Sequence, residues 1–252
     1  MVVSSNLATE ERLGWVRGQL DEHGSVRIGP AAKSLGVSEM TVRRLLLELE
    51  SLGMARRVRG GAVAILPVAF QGRHGMQPRA KALIAAKVRT LVPASGAIGI
   101  DASTTNVRLA SAIDRARDLL VITNGPQAFA ALQDKPGLTP ILTGGTLYAS
   151  TGSLVGPTAC HAAGSLLLNR LFLSAAALDP IIGSSETAIE EAEVKRAMAA
   201  VAAEVVLAVD SSKLDNRAIV PVLALTQIGI LVTELSPTDP RLDAYREFAR
   251  IL

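Results

Sequence analysis

Two groups of side chains in this sequence are typed and spaced for recognition chemistry. The first is a cluster of arginines behind a turn. Leu35-Gly36-Val37-Ser38 is followed by Glu39-Met40-Thr41-Val42-Arg43-Arg44, and Arg56, Arg57 and Arg59 come next, closed by Gly60-Gly61. A guanidinium can donate two hydrogen bonds to a guanine edge, which is worth about 1–3 kcal/mol of discrimination. Ser38 and Thr41 are placed to meet phosphates, and Arg56, Arg57 and Arg59 to clamp the neighbouring backbone, with the glycines allowing close approach.

The second group is scattered along the chain and gains meaning from position. Asp101-Ala102-Ser103-Thr104-Thr105 follows a β-rich run and opens a helical one. Hydroxyls and unpaired amides at a helix N-terminus form an anion site. Asn124, Gly144-Gly145, Asp179 and Lys213 also follow β-rich runs. A phosphate would suit Ser103, Thr104, Thr105 and Lys213, and a polyol would suit Asp101, Asn124 and Asp179. Taken singly, each has a plainer reading: a serine after a strand is a helix cap, paired glycines are a turn, and a lone lysine is surface.

The elements that must position these groups follow from periodicity. Leu13, Val16 and Leu20 make one apolar stripe that ends near His23-Gly24. Val26 and Ile28 alternate as a short strand, and Pro30 suits the first position of a helix carrying Ala31, Ala32 and Leu35. Ser38 is a good N-cap for a second helix with Val42, Leu45, Leu46, Leu49 and Leu52 inward and Gly53 as its C-cap. Met40, Arg43, Arg44 and Leu47 then face outward, and Leu47 is expected to meet the wing or the second domain. Residues 56–63 read as a hairpin with a glycine tip.

A winged helix-turn-helix is therefore expected over 1–66, a linker over 67–78, and a larger domain over 79–252. In the last, β-rich runs at 97–100, 119–123, 140–142, 171–174, 205–209 and 229–233 alternate with helical stretches such as 80–92 and 190–202. That alternation predicts an α/β fold with a mainly parallel sheet covered on both faces, its strand-end polar groups converging on one edge.

Composition agrees. The 252 residues are 49% hydrophobic but only 3% aromatic, so the core is built from Ala, Val, Leu and Ile. The net charge of +3 permits a polyanionic partner, and ten cationic residues between Arg43 and Arg89 concentrate it early. The single cysteine, Cys160, excludes an internal disulfide and a cysteine-based zinc site. Beside His161 it reads as a buried structural thiol rather than a nucleophile. His23, His74 and His161 lack metal-ligand spacing, and no phosphate-binding or dinucleotide glycine motif occurs, so no metal or cofactor is expected. The N-terminus lacks the pattern of a signal peptide and no apolar run is long enough to span a bilayer, which predicts a cytoplasmic protein without a membrane partner.

The segment 35–44, with Leu49-Glu50 and Arg57-Val58-Arg59-Gly60-Gly61-Ala62, resembles the DeoR family of bacterial transcriptional regulators. Family members carry Val-Ser-x-x-Thr-Ile-Arg-Arg-Asp and an Arg-x-His-Gly-Gly-Ala wing; here Leu45 stands for the Asp and Arg59 for the His. The resemblance continues through Arg73, Asp101 to Thr105, Thr123-Asn124, Gly144-Gly145, Gly156, Phe172, Glu193 to Arg196 and Asp210 to Lys213, with Ser103 where the family shows Gly. It implies a C-terminal sensor domain similar in fold to ribose-5-phosphate isomerase. It further implies a regulator, in most cases a repressor of carbohydrate genes, that binds operator DNA as a homo-oligomer and is released by a phosphorylated sugar. Two other functions compete. A sugar-phosphate isomerase would need Asp179 or Glu193 as base and a lysine in the loop 182–186, which has none. An architectural DNA-binding protein would use its second domain only to oligomerise.

Overall fold

The computed structural model describes residues 3–23, 25–52, 54–64, 73 and 76–252. The chain divides into two compact units, Met1–Met76 and Gln77–Leu252. The expected linker falls largely outside the described residues, as do Gly53 and His74.

The first unit begins with helix α1 (Val3–His23), strand β1 (Ser25–Arg27) and helix α2 (Ile28–Leu35). Ile28 starts the helix instead of extending the strand, so Pro30 is its third residue and not its first. The first helical turn has no internal amide partners, which makes both places compatible with proline. Helix α2 stops at Gly36, whose φ of 63° is left-handed. The Val37 amide returns to the Ala32 carbonyl at 3.0 Å. Ser38 then caps α3 (Glu39–Ser51), its Oγ accepting from the Thr41 amide at 3.2 Å. Val42, Leu45, Leu46 and Leu49 point inward and join Val16, Leu20, Ala31 and Ala32 in one cluster. Leu52, expected on that stripe, is 56% exposed because α3 has already ended.

Strands β2 (Ala55–Val58) and β3 (Gly61–Ala64) form the wing, and β3 lies between β1 and β2. Its two-residue tip places Gly60 at a φ of 86°. Gly61 has no alternative: a Cβ there would stand 2.0 Å from the Val26 carbonyl oxygen across the sheet.

The second unit opens with α4 (Pro78–Arg89), followed by β4 (Gly96–Ile100), α5 (Thr104–Ala112), β5 (Leu119–Thr123), α6 (Pro126–Leu132) and β6 (Leu138–Leu142). A hairpin of β7 (Thr146–Tyr148) and β8 (Ser153–Val155) leads into α7 (Pro157–Ala163) and β9 (Arg170–Leu173). Then come β10 (Ala177–Asp179), β11 (Gly183–Glu186), α8 (Ile189–Ala200), β12 (Val205–Ala208), β13 (Val220–Leu223), β14 (Ile230–Val232) and β15 (Arg250–Ile251). Seven strands make one sheet in the order β15-β14-β12-β9-β4-β5-β6, and every neighbouring pair is parallel. Each of the six β-rich runs read from the sequence falls on a strand of this sheet. Pro140 lies in β6 at the edge, where its missing N–H removes no ladder bond. The small antiparallel sheet β10-β11-β13 and the β7-β8 hairpin are additions that the alternation did not announce.

Chain order runs outward from β4 to β6, then restarts at β9 and runs the other way. The reversal between β4 and β9 is a topological switch point, and the crevice beyond those two strand ends is where such sheets hold ligands.

Candidate functional site

The outer face of α3 carries Arg44 among exposed residues, while Arg43 lies 4.0 Å from Glu39 one turn earlier. Between α3 and the wing is a cavity of about 280 Å³, lined by Arg43, Arg57 and Arg59 together with Ile28 and Leu46. Arg57 is less available than its position in the sequence suggests. Its backbone amide donates to Glu50 Oε1 at 2.9 Å and its Nε to Glu50 Oε2 at 2.6 Å, fixing β2 to α3. The Arg57 amide, then its guanidinium, holds the Glu50 carboxyl below the usual range. Arg56 and Arg59 stand exposed on the wing. The Ser38 and Thr41 hydroxyls lie 3.0 Å apart, so their first role is to build the start of α3. Leu47 is 45% exposed and lies outside both the apolar cluster and the wing cavity.

At the switch point, Asp101 follows β4 and is 1% exposed. Its Oδ1 accepts from the Ser103 amide at 3.0 Å and Asn106 Nδ2 at 2.8 Å. Its Oδ2 accepts from the Ser174 amide at 2.8 Å, beyond β9, and lies 3.2 Å from Lys195 Nζ on α8. All four acceptor positions of the carboxylate are therefore filled by protein donors. Asp101 shapes the strand-end site and ties β4 to β9; it is not the open polyol acceptor expected from the sequence.

Lys195 is equally committed. Its ammonium meets Asp101, Glu186 and the Ser174 carbonyl, which uses all three of its donors. Burial alone would push this ammonium down, but the Glu186, Asp101 and Glu191 carboxylates outweigh it and hold it above the ordinary lysine range. Burial likewise pushes the Asp101 carboxyl up. The Lys195 charge and hydrogen bonds from Ser103, Ser174 and Asn106 overcome this and keep it below its ordinary value of 3.8.

Around this pair the loops close. Ser103 caps α5, its Oγ accepting from the Asn106 amide at 3.2 Å, and Thr104 and Thr105 are buried in the first turn. Asn124 joins three segments: its Oδ1 accepts from the Ala102 amide at 3.1 Å, its Nδ2 donates to the Leu154 carbonyl at 3.1 Å, and its carbonyl accepts from the Leu154 amide. Gly125 approaches Ala102 so closely that a Cβ would lie 2.8 Å from the Ala102 Cα. Gly144 and Gly145 have φ of 68° and 110° and turn the chain into the β7-β8 hairpin. That hairpin is fastened by Glu191, whose Oε1 accepts from Thr151 Oγ1 and Ser153 Oγ, both at 2.5 Å.

Two further expected members lie on other elements. Asp179 lies on the small sheet, where Arg217 Nε donates to its Oδ2 at 2.6 Å and the amides of Ile181 and Ile182 donate to its Oδ1. These donors hold its carboxyl at about 2, far from the range of a general base. Lys213 is half-buried in a short 3-10 turn, Ser211–Lys213, that Asp210 caps. Lys195 is the cation that meets Asp101 at the switch point. Its signal in the sequence is Glu191 and Lys195 lying among Ala188, Ala192, Val194 and Met198, on positions that otherwise form the buried face of α8.

Among the described residues there is no cluster of three metal-ligating side chains, and no helix is long and apolar enough to cross a membrane. Burial, then Glu193, pushes the Cys160 thiol up, which disfavours the reactive thiolate.

Residues 17–67 match the family model described as the DeoR-like helix-turn-helix domain, and residues 76–235 match the DeoR C terminal sensor domain. The transcriptional regulator GlpR of Haloferax volcanii is 34% identical over 79% of this chain and 80% of its own. The lactose phosphotransferase system repressor of Streptococcus mutans is 30% identical over 94% and 98%, and the putative aga operon repressor of Escherichia coli O157:H7 is 27% identical over 92% and 88%. Among solved structures, ribose 5 phosphate isomerase A from Neisseria gonorrhoeae aligns with 53% of this chain and 52% of its own, at 16% identity and a TM-score of 0.37. With both domain models matched in order, and relatives that are regulators and not enzymes, the chain belongs to the DeoR family of helix-turn-helix transcriptional regulators.

Proposed function

We propose that this protein represses genes of carbohydrate metabolism by binding operator DNA, and that a small phosphorylated sugar at the strand-end site releases it. The observation that carries the reading is the switch point between β4 and β9, where Asp101 and Asn124 hold the start of α5 in place. Ser103, Thr104, Thr105 and the first-turn amides form the phosphate end of this site. The Gly144-Gly145 turn and the β7-β8 hairpin border it. Two relatives named as repressors of an aga operon and a lactose phosphotransferase system support the carbohydrate assignment. On the DNA, Arg44 and Arg43 approach bases from α3, Ser38 and Thr41 lie near the backbone, and Arg56 and Arg59 grip phosphates, with Arg57 holding the wing in register. One such unit spans only a few base pairs, so the working form is a homo-oligomer, in the cytoplasm, on a repeated half-site.

The test is fluorescence anisotropy with duplexes from upstream of the protein's own and neighbouring genes, at stated salt, with and without a panel of sugar phosphates. Specific binding that one compound releases, and that Arg44→Ala abolishes, is the expected result. Specific binding indifferent to every compound would remove the sensor assignment and leave the DNA-binding one.

A further inference from the structure

We propose that Met40 and Leu47 are specificity residues that read thymine C5-methyl groups on the two sides of a base pair met by Arg44. The proposal rests on the DNA-binding reading above and names what that helix face recognises. Met40 is 67% exposed and Leu47 45%, whereas Val42, Leu45, Leu46 and Leu49 on the opposite side are each at most 3% exposed. At about 100° per residue, Met40, Arg44 and Leu47 lie within roughly 60° of one another. Arg43, on the other flank of Met40 and Leu47, lies 4.0 Å from Glu39 and lines the cavity shared with the wing. Along the helix axis Arg44 lies between the two apolar side chains, about 6 Å beyond Met40 and about 4.5 Å before Leu47.

Neither apolar residue is accounted for within the first unit. Met40 and Leu47 join neither its core cluster nor the lining of the wing cavity. A basic helix face selects a polyanionic partner, and the major groove of DNA offers one apolar group on its base edges, the thymine methyl. The dimensions agree. Seven residues of helix advance about 10 Å, close to three base-pair steps of about 3.4 Å. A guanidinium on a guanine edge, with a methyl contact on each side, fills that length.

The experiment begins by selecting binding sites from a randomised duplex pool with the full-length protein. Each thymine of an enriched site is then replaced in turn by uracil, which removes only the C5-methyl and keeps the pairing edge. Affinity is read by anisotropy for the parent, Met40→Ala and Leu47→Ala. The expected result is a loss of roughly three- to fourfold at one or two thymines within about three base pairs, as one buried methyl predicts. Met40→Ala and Leu47→Ala each remove the uracil sensitivity at a different position. Both side chains are exposed, so the variants keep the fold, which unchanged binding to unselected duplex confirms. Uracil tolerance at every position, or sensitivity that survives in both variants, overturns the proposal while leaving DNA binding intact. Failure to enrich any sequence overturns the DNA-binding reading as well.

Discussion

Replacing Lys195 with Met should destabilise the second unit far more than losing an ordinary surface charge would. The lysine side chain is 8% exposed, and its partners Asp101 and Glu186 are 1% and 11% exposed. Its removal leaves two carboxylates in a low-dielectric setting without their cation, a change that costs about 3–5 kcal/mol when one partner of a buried pair is deleted. For a unit of this size each kcal/mol moves Tm by about 2–4 °C, so a fall of roughly 6–20 °C is expected by calorimetry. Adding Glu186→Gln to Lys195→Met should recover part of the loss, because one of the orphaned charges is gone. The pH dependence has a definite sign. In the parent, Asp101 is held below its ordinary value of 3.8, so its contribution is present above that pH and fades as pH falls below it. Lys195 is held above its ordinary value of 10.5, so its contribution is present below that pH and fades at higher values. In the variant, burial raises the orphaned Asp101 carboxyl, and protonation relieves it on acidification. The difference in Tm between parent and variant should therefore be widest near neutrality and narrow as pH falls toward about 4. A loss below about 2 °C, or a gap indifferent to pH over that range, would refute the account of a charged, buried clamp.

Ser38→Ala removes the acceptor of the Thr41 amide and should lower the stability of the first unit by about 1 kcal/mol, readable from the fluorescence of Trp15, the sole tryptophan. Arg59→Ala should reduce the slope of log K against log salt by about one, with Arg57→Ala showing itself first as a loss of wing stability because Glu50 already holds that guanidinium. Gly145→Ala meets both a φ of 110° and a Val155 carbonyl oxygen 2.6 Å from the new Cβ, so a loss of roughly 1–3 kcal/mol should appear in thermal unfolding. Asp179 is held at about 2 by Arg217 and the Ile181 and Ile182 amides, so its stabilisation is present above 3.8 and lost as pH falls toward 2. The Tm deficit of Asp179→Asn should accordingly shrink across that window.

What could be read from the sequence divides by the range of the forces involved. Turn and cap chemistry is local, so the turn at Gly36-Val37 and Ser38 as an N-cap were both legible, as were all six β-rich runs of the main sheet. Element ends depend on what the next residue meets. Ile28 alternates like a strand but starts a helix, and its amide, which has no partner within the first helical turn, pairs with the Gly60 carbonyl of the wing tip at 2.9 Å. Leu52 lies just past the last turn of α3 and so escapes the core that its spacing implied.

The strand-end site shows the same limit more sharply. Position after a strand identified Asp101, Ser103 and Asn124 as members of one edge, and the structure does gather them. Position alone could not tell which side chains are available to a ligand and which are consumed in building the site. That depends on donors arriving from residues 73 and 94 positions away in sequence, the Ser174 amide and Lys195. Asp179 is engaged in the same way, by an arginine that follows it 38 residues later. A carboxylate with four filled acceptor positions and a lysine with three filled donors form a fixed frame behind the start of α5. Substitutions in the frame should therefore act first on stability, and substitutions at Ser103 or Thr105 first on the response to the effector. A Lys195 variant that kept its Tm but lost only ligand response would invert that division and place Lys195 on the binding surface.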